Sequence, residues 1–151
     1  MRLSDESHER VERFFREHRG DPRLKLPPVY VHGGATARLL LWFAGMSGIT
    51  FGRHVFIRPS LVRKDAEGRA RVPGWLLVHE AAHVLQYEER GFARFLRDYL
   101  RGYWRALRGC GRWDAAGRMA AYREIAEERE ACRAEDAYVV WEDELRVLSD
   151  E

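Results

Sequence analysis

The stretch that decides the fold reads Trp75-Leu76-Leu77-Val78-His79-Glu80-Ala81-Ala82-His83-Val84-Leu85. Its apolar residues fall on nearly all sides of a helix, which predicts a helix buried in the core. Pro73 suits the first turn of this helix, and Gly91 lies just past its expected end near Glu89. Three polar side chains lie inside it. Because burying such groups without partners is costly, they need one another or a metal ion.

His79, Glu80 and His83 form the pattern H-E-x-x-H. Side chains four residues apart share one helix face, with Cβ atoms about 5–6 Å apart. Both imidazoles could therefore reach one tetrahedral zinc ion. Glu80 lies about 100° further round the helix and could reach a metal-activated water, where a general base is needed. The same five residues leave open a buried His–Glu–His hydrogen-bond cluster without metal.

Two histidines need a further protein ligand, and the sequence restricts where it can come from. Position 86 is Gln, position 89 is Glu, and no histidine follows His83. A carboxylate is therefore expected, with a thiolate of Cys110 or Cys132 as the weaker alternative. A final helix, predicted over about 123–148, supplies the candidates Glu124, Glu127, Glu128, Glu130 and Glu135.

Helical phase separates these glutamates. Glu128 and Glu135 fall inside the apolar arc of the predicted helix, Glu127 falls on its inner side, and Glu130 lies beside solvent-facing residues. A carboxylate within a buried arc needs a partner, and zinc is one. We expect Glu128 to be the third ligand, with Glu127 as the alternative. Glu135 either supports the site from outside or forms a structural salt bridge.

The remaining patterns predict an α+β protein of one domain over residues 1–151. Further helices are predicted over 4–19, 35–45, 92–108 and, as a shorter piece, near Asp114–Ala121. Strands are predicted at Val29–His32 and within 48–59, where Gly52-Arg53 forms a hairpin turn or a bulge. Residues 60–72 read as a polar loop, and Gly109-Cys110-Gly111 reads as a break.

Charge is unevenly distributed along the chain. Residues 90–123 hold nine arginines and two aspartates, a net charge of +7, whereas residues 124–151 carry −8. Six arginines recur at helical spacing on one stripe: Arg90, Arg94, Arg97, Arg101, Arg105 and Arg108. The stripe could bind nucleic acid or an anionic membrane. A solvated helix face, partly neutralised by the acidic last helix, is the favoured interpretation.

No apolar run approaches the length of a transmembrane helix. The first residues, Met1-Arg2-Leu3-Ser4-Asp5-Glu6, lack the apolar stretch of a signal peptide. The expected compartment is therefore the cytoplasm, with export by a leaderless route left open. Two cysteines do not make a disulfide framework, so free thiols are expected.

His79-Glu80-x-x-His83, followed by Glu128-Arg129-Glu130-Ala131, resembles the gluzincin zinc peptidases. Together with Ile49–Ile57, the pattern is similar to small bacterial gluzincin-like domains and to the compact minigluzincins, over roughly residues 48–135. The resemblance implies that Glu128, which opens the second motif, is the third zinc ligand. The Asp that usually ends that motif, and that orients the first histidine, is Cys132 here.

The resemblance implies a zincin-like fold, in which a small sheet packs on the motif helix and an edge strand near His54–Ile57 accepts a peptide. It also implies a zinc-dependent peptidase in which Glu80 moves the water's proton to the leaving amine. In such sites a tyrosine or a histidine often stabilises the oxyanion, and the sequence does not choose among the tyrosines Tyr87, Tyr99, Tyr103, Tyr122 and Tyr138. A non-catalytic zinc module that binds a partner is the alternative.

Overall fold

Six α-helices, one short 3₁₀ helix (Pro59–Leu61) and five short strands follow one another in the computed structural model, which describes residues 1–44 and 46–149. The helices are α1 (Asp5–Arg19), α2 (Ala35–Ala44), α3 (Gly74–Arg90), α4 (Phe92–Cys110), α5 (Ala115–Arg123) and α6 (Ala126–Ser149). The strands are β1 (Tyr30–His32), β2 (Gly48–Phe51), β3 (His54–Ile57), β4 (Arg63–Lys64) and β5 (Ala70–Arg71). The predicted α+β class is confirmed.

Two local predictions need correction, and one extends beyond the described residues. The expected break at 109–111 falls later, because α4 continues through Cys110 and ends at Gly111, whose φ of 62° is left-handed. The expected polar loop over 60–72 contains the β4–β5 hairpin, whose turn is closed by backbone N–H groups donating to the Asp65 carboxylate. Of the helix predicted over 35–45, position 45 lies outside the described residues.

The main sheet has the strand order β1-β3-β2. Strand β3 pairs antiparallel with β2 and parallel with β1, where Val31 lies opposite Val55. The prediction that His54–Ile57 is the edge strand is therefore wrong. Strand β3 lies in the middle of the sheet, because β1 pairs with the side of β3 that does not face β2. Residues 1–3 bond to the outer side of β1, so among the described residues of the main sheet β2 is the strand with a free side.

Helix α3 lies at the centre of the core. Val78, Ala81 and Val84 are fully buried on it, as the apolar pattern predicts. The sheet contributes Val55 and Ile57 to the same core. Helices α1 and α6 pack on α3, so the H-E-x-x-H segment is enclosed on several sides.

Helix α4 is strongly two-sided. Its arginines are exposed, whereas Phe95 and Leu107 are buried on the opposite side. None of the helices in the described part of the chain is long and apolar enough to cross a membrane.

Gly74, the first residue of α3, tests the packing of α3 on α6. A Cβ at this position would lie 2.5 Å from the Tyr138 hydroxyl oxygen, and Tyr138 is itself buried against Phe14 and Trp141. We expect Gly74→Ala to lower the free energy of unfolding by about 1–3 kcal/mol, as overpacking does. Urea-induced unfolding measures the change.

The matched control is Gly109→Ala in α4, where a Cβ meets no atom within 4 Å. This variant should be neutral or more stable by up to about 1 kcal/mol, because alanine favours a helix. Equal stability of the two variants would contradict the close approach of α6 to the start of α3.

Candidate metal centre

Three side chains from two helices converge at the α3–α6 contact. His79 and His83 come from α3, and Glu128 comes from the first turn of α6. His79 Nε2 lies 3.3 Å from Glu128 Oε2, and His83 Nε2 lies 3.3 Å from Glu128 Oε1. Ligand atoms of all three residues lie within 4.8 Å of one another, so the group could hold a metal ion. The structure thus brings together the three residues that the sequence suggested as ligands.

Both imidazoles are held by their other nitrogen. His83 Nδ1 lies 2.9 Å from Gln86 Oε1. The Gln86 amide is oriented by its Nε2, which donates to the Glu127 carbonyl and to Glu130 Oε2. Its Oε1 is therefore an acceptor, and His83 Nδ1 carries the hydrogen.

His79 is oriented in the same way, with a carboxylate as its partner. Its Nδ1 lies 3.0 Å from Glu135 Oε2. Since an ionised carboxylate only accepts hydrogen bonds, His79 Nδ1 also carries a hydrogen. In their neutral forms both rings thus direct the Nε2 lone pair towards Glu128, as metal-binding histidines do.

The lone pairs of His79 and His83 and the Glu128 carboxylate repel one another unless a positive charge lies among them. Two protons or one metal cation can supply that charge. Glu128 Oε2 is buried and accepts no aligned hydrogen bond from the described residues. A buried carboxylate oxygen without a donor, beside two imidazole lone pairs, fits the His₂Glu donor set of zinc, which leaves a fourth position open.

The charges of the cluster raise the pKa values of its two histidines and lower the pKa of its carboxyl group. Burial works against charged imidazoles, but the interaction with Glu128 outweighs it and raises the pKa of His83 to about 9. The pKa of His79 is raised by the same balance. Burial of Glu128 is likewise outweighed, because both histidines hold the pKa of its carboxyl well below the ordinary range. Without metal, the cluster is therefore an imidazolium–carboxylate arrangement near neutral pH.

Glu80 faces strand β2. Its Oε2 accepts a hydrogen bond of 2.7 Å from the Thr50 hydroxyl. A Cβ at Gly48 would lie 2.2 Å from Glu80 Oε1, so the carboxylate occupies space that only glycine leaves free. Burial raises the pKa of Glu80, and the charges of His83 and His79 oppose this rise. Glu80 thus lies beside the cluster as a buried carboxyl group whose pKa is raised by burial.

The other acidic candidates on α6 are engaged elsewhere. Glu127, the alternative third ligand, is buried and forms an ion pair of 2.6 Å with Arg90. Glu130 binds Gln86 and Arg19. Glu135 contacts His79, so it makes the contact that the resemblance assigns to the Asp replaced by Cys132. The thiol of Cys132 is exposed, and its ligand atom lies within 4.8 Å of those of His79 and Glu135.

Two of the five candidate tyrosines lie at Glu128. Tyr99 on α4 donates to Glu128 Oε1 at 2.6 Å, and Tyr122 on α5 also interacts with this carboxylate. Burial and the charge of Glu128 raise the pKa of both phenols, so both stay protonated donors. Tyr138 instead donates to Glu142.

A cavity of about 270 Å³ opens beside the cluster. Its polar side is formed by Glu80, His83 and Glu128, together with Tyr99 and Tyr122. Its apolar wall comes from β2 and α4, and the residues are Ile49, Phe51, Phe95, Leu96 and Leu100. Tyr87 also lines the cavity, whereas Tyr103 does not.

Sequence reasoning missed the roles of Thr50, Gly48 and Gln86. Gln86 lies three residues after His83, so helical spacing alone would have placed it beside that ring. Thr50 and Gly48 share one face of a strand by alternation. No signal in the sequence, however, tells which face of this strand meets the motif helix.

Comparison with known families identifies a match over the first part of the chain. The model of the eCIS core domain, where eCIS stands for extracellular contractile injection system, matches residues 3–91, more than half of the chain. The matched range includes β2 and the H-E-x-x-H segment of α3, and it ends before Glu128. No curated protein and no solved structure matches the chain.

A zinc ion held by the two imidazoles would compete with protons, which predicts a pH dependence. Because the pKa of His83 is raised from 6.5 to about 9, its charged form stabilises the metal-free protein fully below pH 6.5, and this stability is lost as the pH rises through 9. Zinc needs the neutral ring. We therefore expect the rise in Tm on adding zinc to grow steadily between pH 6.5 and 8, measured by calorimetry against a chelator-treated sample.

The control is Glu128→Gln, which removes the charge that raises both pKa values. In this variant the metal-free protein should lose its dependence on pH over the same window, and zinc should shift Tm far less. A zinc-induced shift of Tm that is equal at pH 6.5 and pH 8 would contradict the competition.

Proposed function

The chain belongs to the family of eCIS core domains, and we propose that this member is a zinc-dependent peptide hydrolase of the gluzincin type with a zincin-like fold. The observation that carries the proposal is the convergence of His79 Nε2, His83 Nε2 and Glu128 on one point, with Glu80 beside them. His79, His83 and Glu128 would hold the zinc ion. When bound, zinc makes water nucleophilic near neutral pH and polarises the scissile carbonyl.

Glu80 acts as general base and then as general acid. Its carboxylate takes the proton of the attacking water and delivers it to the leaving amine nitrogen. Burial raises its pKa, which brings the group closer to the operating pH, where a proton shuttle is most efficient. The Thr50 hydroxyl holds Oε2, and the missing side chain at Gly48 leaves room for Oε1.

The free side of β2 provides a place for the peptide backbone. In the β2–β3 ladder the N–H of Arg58 bonds to the carbonyl of Ser47, which fixes the alternation of the following pairs. The N–H and C=O groups of Gly48 and Thr50 therefore point away from β3. An extended peptide can add to them as a further strand, with an apolar side chain in the cavity walled by Leu96 and Leu100.

A second candidate function is a non-catalytic zinc module. One observation favours it: the three potential ligands come from α3 and α6 alone, so a metal ion would join two packed helices directly. Structural zinc contributes to folding stability. The two functions differ at Glu80, which a structural site does not need.

Glu80→Gln separates these functions. We expect the wild-type chain to carry about one zinc ion by elemental mass spectrometry, and the variant to keep it. Turnover of a peptide library, followed by mass spectrometry, should fall by about 10²–10⁴-fold because the base is lost. His83→Ala and Glu128→Ala should lose the metal.

Glu127→Ala is the matched control, since it removes a neighbouring buried carboxylate that pairs with Arg90 rather than with the histidines. It should retain zinc. Cleavage that Glu80→Gln leaves unchanged would overturn the peptidase mechanism, and a wild-type chain without zinc would overturn both functions.

Thr50→Val tests how the general base is held. The Thr50 hydrogen bond lowers the pKa of Glu80 against the effect of burial, so its removal should move the acid limb of the kcat/KM profile to higher pH. A hydrogen bond to a charged group contributes about 1.5–3 kcal/mol, so kcat should fall by about tenfold to a hundredfold. Thr50→Ser keeps the hydroxyl and should restore both. An acid limb that does not move in Thr50→Val would exclude this role.

A further inference from the structure

The solvent face of α4 combines exposed apolar and cationic side chains. Leu100 is 47% exposed and Trp104 is 49% exposed. Trp113, just beyond the end of α4, is 61% exposed, and its ring lies 6.4 Å from that of Trp104. Large side chains of this kind, grouped together in water, indicate an interaction surface.

The six arginines of the stripe divide into two groups. Arg90, the last residue of α3, pairs with Glu127, and Arg94 and Arg97 on α4 both pair with Asp98. Further along the helix, Arg101, Arg105 and Arg108 form no ion pair with any residue of the described chain. Their charges are thus free to meet an anionic partner, and they lie in the same part of α4 as Leu100 and Trp104.

We propose that this face docks on an anionic lipid bilayer. Helical phase places Leu100 and Trp104 along one border of the arginine stripe. A helix lying in the membrane interface buries its apolar side chains at the level of the acyl chains and directs its cationic side chains to the headgroups. Tryptophan is suited to that depth because its ring is apolar and its N–H is polar.

The same observations favour a bilayer over nucleic acid. An aromatic ring can stack on a base, but the exposed aliphatic Leu100 gains nothing from a phosphate backbone.

Docking has a consequence for the cavity beside the metal centre. Leu100 belongs both to the exposed face and to the wall of that cavity. The mouth of the cavity would therefore lie close to the bilayer surface. The docking surface itself does not depend on metal binding or on hydrolysis, so its test is independent of the proposed function.

The experiment measures binding of the full chain to large unilamellar vesicles by co-sedimentation. Vesicles of phosphatidylcholine with about one third phosphatidylglycerol, and vesicles of phosphatidylcholine alone, are compared at low and high salt. We expect binding only to the anionic vesicles, weakened by salt, with a blue shift of tryptophan emission on binding.

Two variants divide the contributions. An arginine near an anionic surface contributes about fivefold in affinity, so Arg101→Gln/Arg105→Gln/Arg108→Gln together should lose on the order of 100-fold. The control, Arg23→Gln/Arg129→Gln/Arg133→Gln, removes the same charge from exposed positions elsewhere and should stay within a few fold of wild type. Leu100→Ser/Trp104→Ser should reduce binding and the emission shift together.

Three outcomes would overturn the proposal. The first is no binding of the wild type to anionic vesicles at low salt. The second is an equal loss in both arginine variants, which would show attraction by overall charge. The third is unchanged vesicle binding in Leu100→Ser/Trp104→Ser, with a DNA duplex displacing the vesicles, which would assign the stripe to nucleic acid. Circular dichroism and Tm establish that each variant is folded.

Discussion

The direction of two imidazole rings determines most of the chemistry around the α3–α6 contact. Gln86 and Glu135 accept from the Nδ1 atoms of His83 and His79, so both Nε2 atoms face the buried Glu128 carboxylate. Such an arrangement is stable only with positive charge at its centre. Either protons or one divalent cation can supply this charge, and an exchange of one for the other would couple pH to metal binding.

The contacts around this cluster fall on two sides with different consequences. On the core side, Gln86 is fully buried and fixed by the α6 backbone and by Glu130, so the ring of His83 has little freedom to turn. On the cavity side, Tyr99 and Tyr122 direct hydroxyl groups at Glu128. Phenols that remain protonated can donate to a developing oxyanion as well as to a carboxylate. The rigid side sets ligand geometry, and the open side is where a substrate could meet donors.

Much of this arrangement could be predicted from the sequence because helical periodicity carries it. The phase of α6 selected Glu128 over Glu130, and the structure places Glu128 beside both histidines. The phase also left Glu127 open, and only the position of Arg90 shows that its carboxylate is engaged. Periodicity within an element is local, whereas partners such as Arg90 come from a different element.

The same limit explains the errors in the sheet. The hairpin over 48–57 follows from β-forming residues around Gly52-Arg53, yet either of its strands could lie at the edge. Which strand lies at the edge depends on β1, which precedes α2 in the sequence and pairs with β3 in parallel. Because such a pairing is non-local, no turn signal marks it in the sequence. The structure also places Thr50 and Gly48 of β2 beside Glu80. Strand alternation alone does not predict which face of the strand meets the motif helix.

The division of the site between two parts of the chain affects what family membership implies. The eCIS core domain match ends at residue 91, so it includes both histidines and Glu80 but not the carboxylate that faces them. Glu128 Oε2 is buried without an aligned donor and lies 3.3 Å from His79 Nε2. In this chain, Glu128 on a later helix packed against the motif helix is therefore the residue that completes a candidate metal centre with the two histidines.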